Sequence, residues 1–269
     1  MATQTRDLTD IALSVAKEAG ALLLGGFRSR PTVERKAPVD LVTEWDRKSE
    51  ALIVERLGRL TPAIPIVAEE GGGKITDDLT WYCDPLDGTT NFVHGHPFFA
   101  VSIGAMQQGH PIAGAVVAPA LGWFWSGSRG DVAKRNGDLC RVSDTVQPGD
   151  ALLGTGFPPN RELAPHNNFD AYVAAKRRVR GIRRCGSASI DLCFVADGTY
   201  DGYWERALHA WDVVAGAAIV LAAGGQVTAL DGGPARLAQG HLIASNRLLH
   251  GALLDLVGES PVQYPSAYR

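Results

Sequence analysis

The stretch Asp84-Pro85-Leu86-Asp87-Gly88-Thr89-Thr90-Asn91-Phe92 directly follows Leu79 to Cys83, an apolar run with the character of a β-strand. Its two aspartates stand three residues apart. Pro85 and the turn after it break the alternation of a strand, so both carboxylates can converge on one place. A helix is expected to begin at Gly88, where free amides of Gly88 and Thr89 can hold phosphate oxygens. Clustered carboxylate oxygens suit magnesium, which prefers oxygen ligands and stays partly hydrated. Asp-Gly by itself is an ordinary turn. The surroundings argue for more: Ile64 to Ala68 is a second strand-like run that stops at carboxylates, Glu69-Glu70, and Asp212 opens an apolar helix after Trp211.

Upstream, Leu8, Ile11, Val15, Ala19 and Leu22 recur at intervals of three and four, which predicts an amphipathic helix ending near Gly25-Gly26. Thr43 is the expected cap of a second helix with Leu52, Ile53, Leu57 and Leu60 as its apolar stripe and Asp46 and Glu50 one turn apart. Downstream, Ala100 to Met106 and Ile112 to Ala118 flank Gln107 to Pro111 and predict a hairpin, with more strand character at Trp123 to Trp125. After Asp150 the units shorten to a run at Ala151 to Leu153, helices near Phe169 to Val179 and Ser187 to Ala196, and a strand near Tyr200 to Trp204. The helix Asp212 to Ala223 is apolar on nearly every face, which predicts burial between layers. Strands near Gln226 to Ala229 and His241 to Ala244 and a short C-terminal helix complete a mixed α/β pattern of two closely joined lobes.

The chain has 269 residues, enough for one large core or two intimately packed lobes. With 45% hydrophobic and 20% charged residues it reads as a globular protein, neither disordered nor membrane-embedded. A formal net charge of -3 offers no basic footprint for nucleic acid as the main partner. A small anionic substrate then needs a local positive site, which metal ions can create. No apolar run near the N-terminus reads as a signal peptide or membrane span, so a cytoplasmic location is expected. Cys83, Cys140, Cys185 and Cys193 include no CxxC pair and are expected as reduced thiols.

The chain resembles the inositol monophosphatase family in five blocks. These are Val42-Thr43-Glu44-Trp45-Asp46, Glu69-Glu70, the Asp84 to Phe92 run, Gly186-Ser187-Ala188, and His209-Ala210-Trp211-Asp212-Val213-Val214-Ala215-Gly216. They occur in family order between about residue 8 and residue 250, nearly the whole chain. The resemblance implies an α/β fold, a layered α/β/α/β/α sandwich of the inositol monophosphatase and fructose-1,6-bisphosphatase type. Residues 1–269 would form a single domain with closely packed lobes at about 1–150 and 151–269.

The same resemblance implies a lithium-sensitive phosphatase with two or three Mg2+ ions, acting on inositol monophosphate or a similar polyol phosphate. Asp84 would bridge two ions, with Glu69 and the Leu86 carbonyl completing one site, Asp87 and Asp212 the second, and Glu69 also near a third. Asp46 and Thr89, with Glu69, would activate the attacking water, and Gly88 and Thr89 would hold the phosphate. Asp87, Ser187, Ala188, Glu205 and Asp212 would bind the substrate, Glu205 by accepting a hydroxyl. A homodimer is expected. Two-metal chemistry suits phosphoryl transfer, which relies on positioning and on neutralising charge at the non-bridging oxygens.

Rival substrates on the same scaffold are fructose 1,6-bisphosphate, histidinol phosphate and 3'-phosphoadenosine 5'-phosphate. A rival of another class is a non-catalytic regulatory or RNA-associated binding protein, against which the intact carboxylate set argues. Gly154-Thr155-Gly156-Phe157-Pro158-Pro159 lacks the continuation of a dinucleotide fingerprint. Arg177, Arg178, Arg180, Arg183 and Arg184 read as a solvated face, with a subunit interface or anion guidance as the other uses. His94, His96 and His209 are expected to pack or cap rather than catalyse.

Overall fold

Leu8, Ala12, Val15, Ala16, Ala19 and Leu23 are buried along one side of the first helix, α1 (Ala2–Gly26), as their helical spacing requires. The computed structural model describes residues 2–37, 40–158, 162, 164 and 167–258. Pro159 and the segment 259–269 lie outside the described residues. A polar hairpin, β1 (Val33–Ala37) and β2 (Asp40–Thr43), then leads into α2 (Glu44–Leu60). Thr43 caps α2, its hydroxyl accepting the Trp45 N–H at 3.1 Å. Ile53 and Leu57 are buried as expected, whereas Leu60 is exposed at the helix end.

The first large sheet has seven strands. In order they are β3 (Ile66–Ala68), β4 (Thr80–Asp87), β5 (Ala100–Gln107), β6 (His110–Ala118), β7 (Trp123–Ser128), β8 (Lys134–Arg135) and β9 (Asp138–Leu139). Only β3 and β4 pair in parallel; the rest is an antiparallel meander. Alternation puts Trp81, Cys83, Val101, Ile103, Ala113 and Ala115 on the face covered by α1 and α2, while Tyr82, Ala100 and Val116 face the opposite core. A short helix, α3 (Thr89–Val93), leaves the end of β4.

The second sheet has five strands in the order β11-β10-β12-β14-β13. They are β10 (Leu152–Thr155), β11 (Gly181–Arg183), β12 (Gly202–Glu205), β13 (Gln226–Thr228) and β14 (Leu242–Ser245). Between the sheets lie α5 (Ala188–Ala196) and α6 (Ala210–Ala222), both buried almost throughout. Outside the second sheet, α4 (Phe169–Lys176) and α7 (His250–Val257) close a third core with Leu153, Trp204 and Ile243. The layers therefore alternate α/β/α/β/α.

A row of glycines seats α6. Gly104, Gly114 and Gly127 are paired in register across β5, β6 and β7. A Cβ on Gly104 would meet the Ala215 nitrogen at 2.5 Å, one on Gly114 the Ala215 oxygen at 2.4 Å, and one on Gly127 the Ala222 Cβ at 3.0 Å. The backbone of α6 therefore lies directly on bare sheet, closer than any side-chain layer permits.

Candidate active site

The central strand places its carboxylates by a bulge. Asp84 pairs with Ser102 and Asp87 with Ala100, so β4 spends three residues where β5 spends two. Ser102 and Ala100 share a face, and the extra residue turns Asp84 and Asp87 onto that face together. The strand does not stop at Asp84, as the sequence suggested; it runs on to Asp87, and the bulge at Pro85-Leu86 performs the turning. Gly88 follows at φ 91°, and a Cβ there would lie 2.9 Å from the Phe98 oxygen, so only glycine makes the step into α3.

Asp84, Asp87, Glu69 and Asp212 line one pocket of about 410 Å³, together with Leu86, Gly88, Thr89, Ser187, Ala188 and Glu205. Burial raises Asp84 well above the usual carboxylate range, with repulsion from Glu69, Asp87 and Asp212 adding to it. Asp212 is raised in the same way by desolvation and then by Asp87. Burial raises Asp87 too, opposed by the donors that hold it: Ser187 Oγ at 2.7 Å, Ser189 N–H at 2.8 Å and Ser189 Oγ at 2.5 Å. Such mutually repelling oxygens fit a hard cation, and the Leu86 carbonyl stands beside them. Among the described residues no three His, Cys, Asp or Glu side chains are drawn together closely enough to hold an ion by themselves.

Asp46 is not among the pocket-lining side chains, yet it is joined to the pocket through Thr89, whose hydroxyl reaches Asp46 Oδ1 at 2.8 Å and the Leu86 oxygen at 3.0 Å. The other Asp46 oxygen receives the Thr43 N–H at 2.8 Å and the Thr43 hydroxyl at 2.6 Å. Burial outweighs these donors and raises the Asp46 carboxyl.

Glu205 is buried, accepts the Tyr203 hydroxyl, and is pushed up to about 7 by burial. Gly156 makes room for it, since a Cβ there would lie 2.0 Å from Glu205 Oε1. The Gly154 run thus borders this pocket through Thr155, Gly156 and Phe157 instead of opening a dinucleotide site. Arg184 departs from the rest of its basic stretch: Arg177, Arg178 and Arg183 are exposed and Arg180 pairs with Asp150 at 2.5 Å, but Arg184 lines the pocket. His209 is exposed, stacks on Trp211 at 4.6 Å and also lines the pocket, and His96 lies against Phe98.

Several supporting residues carried no distinct sequence signal. Ser49 donates to the Pro85 oxygen at 2.8 Å, Glu50 accepts the Glu70 N–H at 2.8 Å, and Asn91 Nδ2 donates to the Cys185 oxygen at 2.9 Å. Asp191 had a signal, a lone charge in the apolar run of α5, and it too lines the pocket.

Repelling carboxylates gathered at the end of a bulged strand are what a metal-dependent phosphatase requires, and fold and pocket assign the chain to that class. The sequence matches the Inositol monophosphatase family over residues 4–261, and the chain belongs to that family, whose members hydrolyse phosphate monoesters. It is 38% identical to an inositol-1-monophosphatase of Mesorhizobium japonicum, over 93% of this chain and 96% of that protein. It is 41% identical to the Nus factor SuhB of Pseudomonas aeruginosa, over 93% of this chain and 95% of the relative. The solved structure of the inositol monophosphatase from Anabaena superposes with a TM-score of 0.85 at 39% identity, covering 93% of this chain and 95% of the other. Among the described residues no helix is long and apolar enough to cross a membrane.

Proposed function

We propose that the protein is a magnesium-dependent phosphatase that hydrolyses inositol monophosphate or a similar small polyol phosphate. The observation that carries this reading is the joining of the carboxylate pocket to the Thr89–Asp46 pair on one side and Glu205 on the other. Glu69, Asp84, the Leu86 carbonyl, Asp87 and Asp212 would hold two or three magnesium ions. When bound, magnesium supplies positive charge for the phosphate oxygens and lowers the pKa of coordinated water.

The chain's own residues do the rest. A water beside Thr89 can donate to Thr89 Oγ1, which donates to Asp46 Oδ1, and burial gives that carboxylate the raised proton affinity an acceptor needs. Backbone amides of Gly88 and Thr89 at the start of α3 orient the phosphate. Glu205, with Ser187 and Ala188, receives the polyol. Ser187 and Ser189 keep Asp87 in place, and these bonds between about 1–150 and 151–269 support reading the two lobes as a single domain. Lithium is expected to inhibit. The protein is read as cytoplasmic and as a homodimer, and light scattering of the purified chain checks the oligomeric state.

The relative named Nus factor favours a second reading, a regulatory binding role. A panel of inositol 1-phosphate, fructose 1,6-bisphosphate, histidinol phosphate and 3'-phosphoadenosine 5'-phosphate separates the two. Magnesium-dependent release fastest from inositol 1-phosphate supports the first; no release from any of them supports the second.

A further inference from the structure

Asn168 stands immediately before α4 with φ 71°, a left-handed conformation that asparagine tolerates better than most residues. An asparagine at that station ordinarily caps the helix by accepting an N–H of its first turn, yet the Asn168 side chain makes no cap bond. It is buried and turns to the second sheet instead. Oδ1 accepts the Trp204 indole N–H at 2.6 Å, and Nδ2 donates to the Gly156 oxygen at 2.6 Å and to Thr155 Oγ1 at 2.9 Å. The indole can only donate and the Gly156 oxygen can only accept, so the amide fits in one orientation. Thr155 Oγ1 in turn donates to the Trp204 oxygen at 2.7 Å, which closes a ring of bonds between β10 and β12.

The ring sits where the two strands part. β10 and β12 run parallel, and Thr155 and Trp204 are their last registered pair. The next residue on each strand, Gly156 and Glu205, lines the pocket. Glu205 is paired with Leu242 of β14, whereas the pairing with β10 ends one residue before it. The approach of Gly156 to Glu205 is close, since a Cβ on Gly156 would overlap the carboxylate. Asn168 fixes that approach from both sides, through the Gly156 oxygen and through the indole of Trp204. Phe157, the next residue of the pocket wall, packs on Phe169 and Tyr172 of α4 at 5.1 and 5.7 Å, so the start of one helix backs the whole strip. Satisfying a buried indole takes a single acceptor; the two donations to β10 go beyond that need.

We propose that Asn168 is a positioning residue that sets Gly156 against Glu205 and thereby the place at which Glu205 meets the leaving group. It touches no substrate. The inference rests on the reading of Glu205 as the acceptor of a polyol hydroxyl and deepens it: selection among leaving groups depends on a residue behind the pocket. Without Asn168 the ends of β10 and β12 can drift apart, which weakens a hydroxyl contact while the phosphate end of the site, built on β4 and α3, stays in place.

Asn168→Gly deletes the side chain and puts a residue at ease with φ 71° in its place. At saturating magnesium it should lower kcat/KM for inositol 1-phosphate about tenfold, mainly through KM, and move the value for p-nitrophenyl phosphate by less than about twofold. In a Glu205→Gln background the same substitution should change the inositol value by less than about twofold, because the contact that Asn168 positions is already weakened there. Should the glycine variant fail to melt cooperatively, Asn168→Ala takes its place.

Equal losses on both esters would make Asn168 a support of the second sheet, full additivity with Glu205→Gln would show that it does not act through Glu205, and unchanged ratios would make it a bystander; each overturns the assignment. A wild-type protein that releases phosphate from the aryl ester but not from inositol 1-phosphate overturns the polyol reading and this one with it. Wild-type activity on inositol 1-phosphate with unchanged variant ratios overturns only the role of Asn168.

Discussion

Asp46 and Asp212 hold the same station in their helices: each is the third residue, and each carboxylate receives the backbone N–H of the residue preceding the helix, Thr43 at 2.8 Å and His209 at 2.6 Å. A tryptophan precedes each of them, Trp45 and Trp211. Orientation of the two acids therefore comes from helix initiation, and a capping bond aims the side chain before any ligand arrives. Function and stability meet in one carboxylate, and substitution can separate them.

For Asp46, asparagine keeps an oxygen for the Thr43 N–H while losing the ionised acceptor for Thr89. Asp46→Asn should unfold within roughly 1 kcal/mol of the wild type, and Asp46→Ala should lose about 1 to 2 kcal/mol. Turnover should fall in both by about a hundredfold or more. Urea denaturation and steady-state rates check this; equal stability of the two variants would refute the capping role.

Removing a charge from the repelling cluster should help the metal-free fold and harm the loaded one. Glu69, Asp87 and Asp212 all oppose ionisation of Asp84, so Asp84→Asn should raise the Tm in a chelator at neutral pH. Magnesium should raise the wild-type Tm by mass action and shift the variant much less. Activity should fall on the order of a hundredfold or more, as a main electrostatic stabiliser is lost. The same magnesium shift in both proteins would rule Asp84 out as a ligand.

Glu205 titrates in the folded metal-free protein at about 7, above the ordinary 4.5. A group raised in this sense stabilises fully below its unfolded pKa and loses that contribution as pH rises through its folded pKa. Glu205→Gln should accordingly match the wild type near pH 4.5 and exceed it at about pH 8 by on the order of 1 to 3 kcal/mol, measured in a chelator. On substrates it should cost roughly 1 to 3 kcal/mol in kcat/KM for inositol 1-phosphate and little for an aryl phosphate. Equal losses on both esters would assign Glu205 to metal support or folding.

His250 supplies the opposite pH dependence. It is buried between Ser245 Oγ, 2.8 Å from Nδ1, and Thr228 Oγ1, 2.8 Å from Nε2, and burial lowers its pKa below 6.5. The unfolded chain then binds the proton more readily, so this stability is present above 6.5 and is lost as pH falls. Between about pH 7.5 and 5 His250 should pull denaturation midpoints down against the upward pull of Glu205, so His250→Gln should raise the midpoint at about pH 5 relative to that at about pH 7.5 compared with the wild type. An unchanged slope would remove His250 from the acid response.

Strong periodicity made much of this fold readable in advance. α1, α2, the β5–β6 hairpin and the buried α6 follow from apolar spacing alone, with boundaries off by a few residues. The β1–β2 hairpin, β8, β9 and β11 did not, because they are short and largely polar and are held by pairing with neighbours. At the site, Asp84, Asp87 and Asp212 stood out as charges beside apolar runs. Ser49, Glu50, Asn91 and Ser189 are ordinary helix polars whose importance lies in contacts 20 to 102 positions away, which no local pattern carries.

Laboratory stabilisation commonly replaces glycine with alanine to stiffen the unfolded chain. In this enzyme the remedy is confined to other places. Alanine at Gly104 or Gly114 would wedge α6 away from β5 and β6, and α6 carries Asp212 at its opening turn. Thermal adaptation of the scaffold has to work around these bare positions, because the gap they leave unfilled is the ruler that sets Asp212 against Asp84.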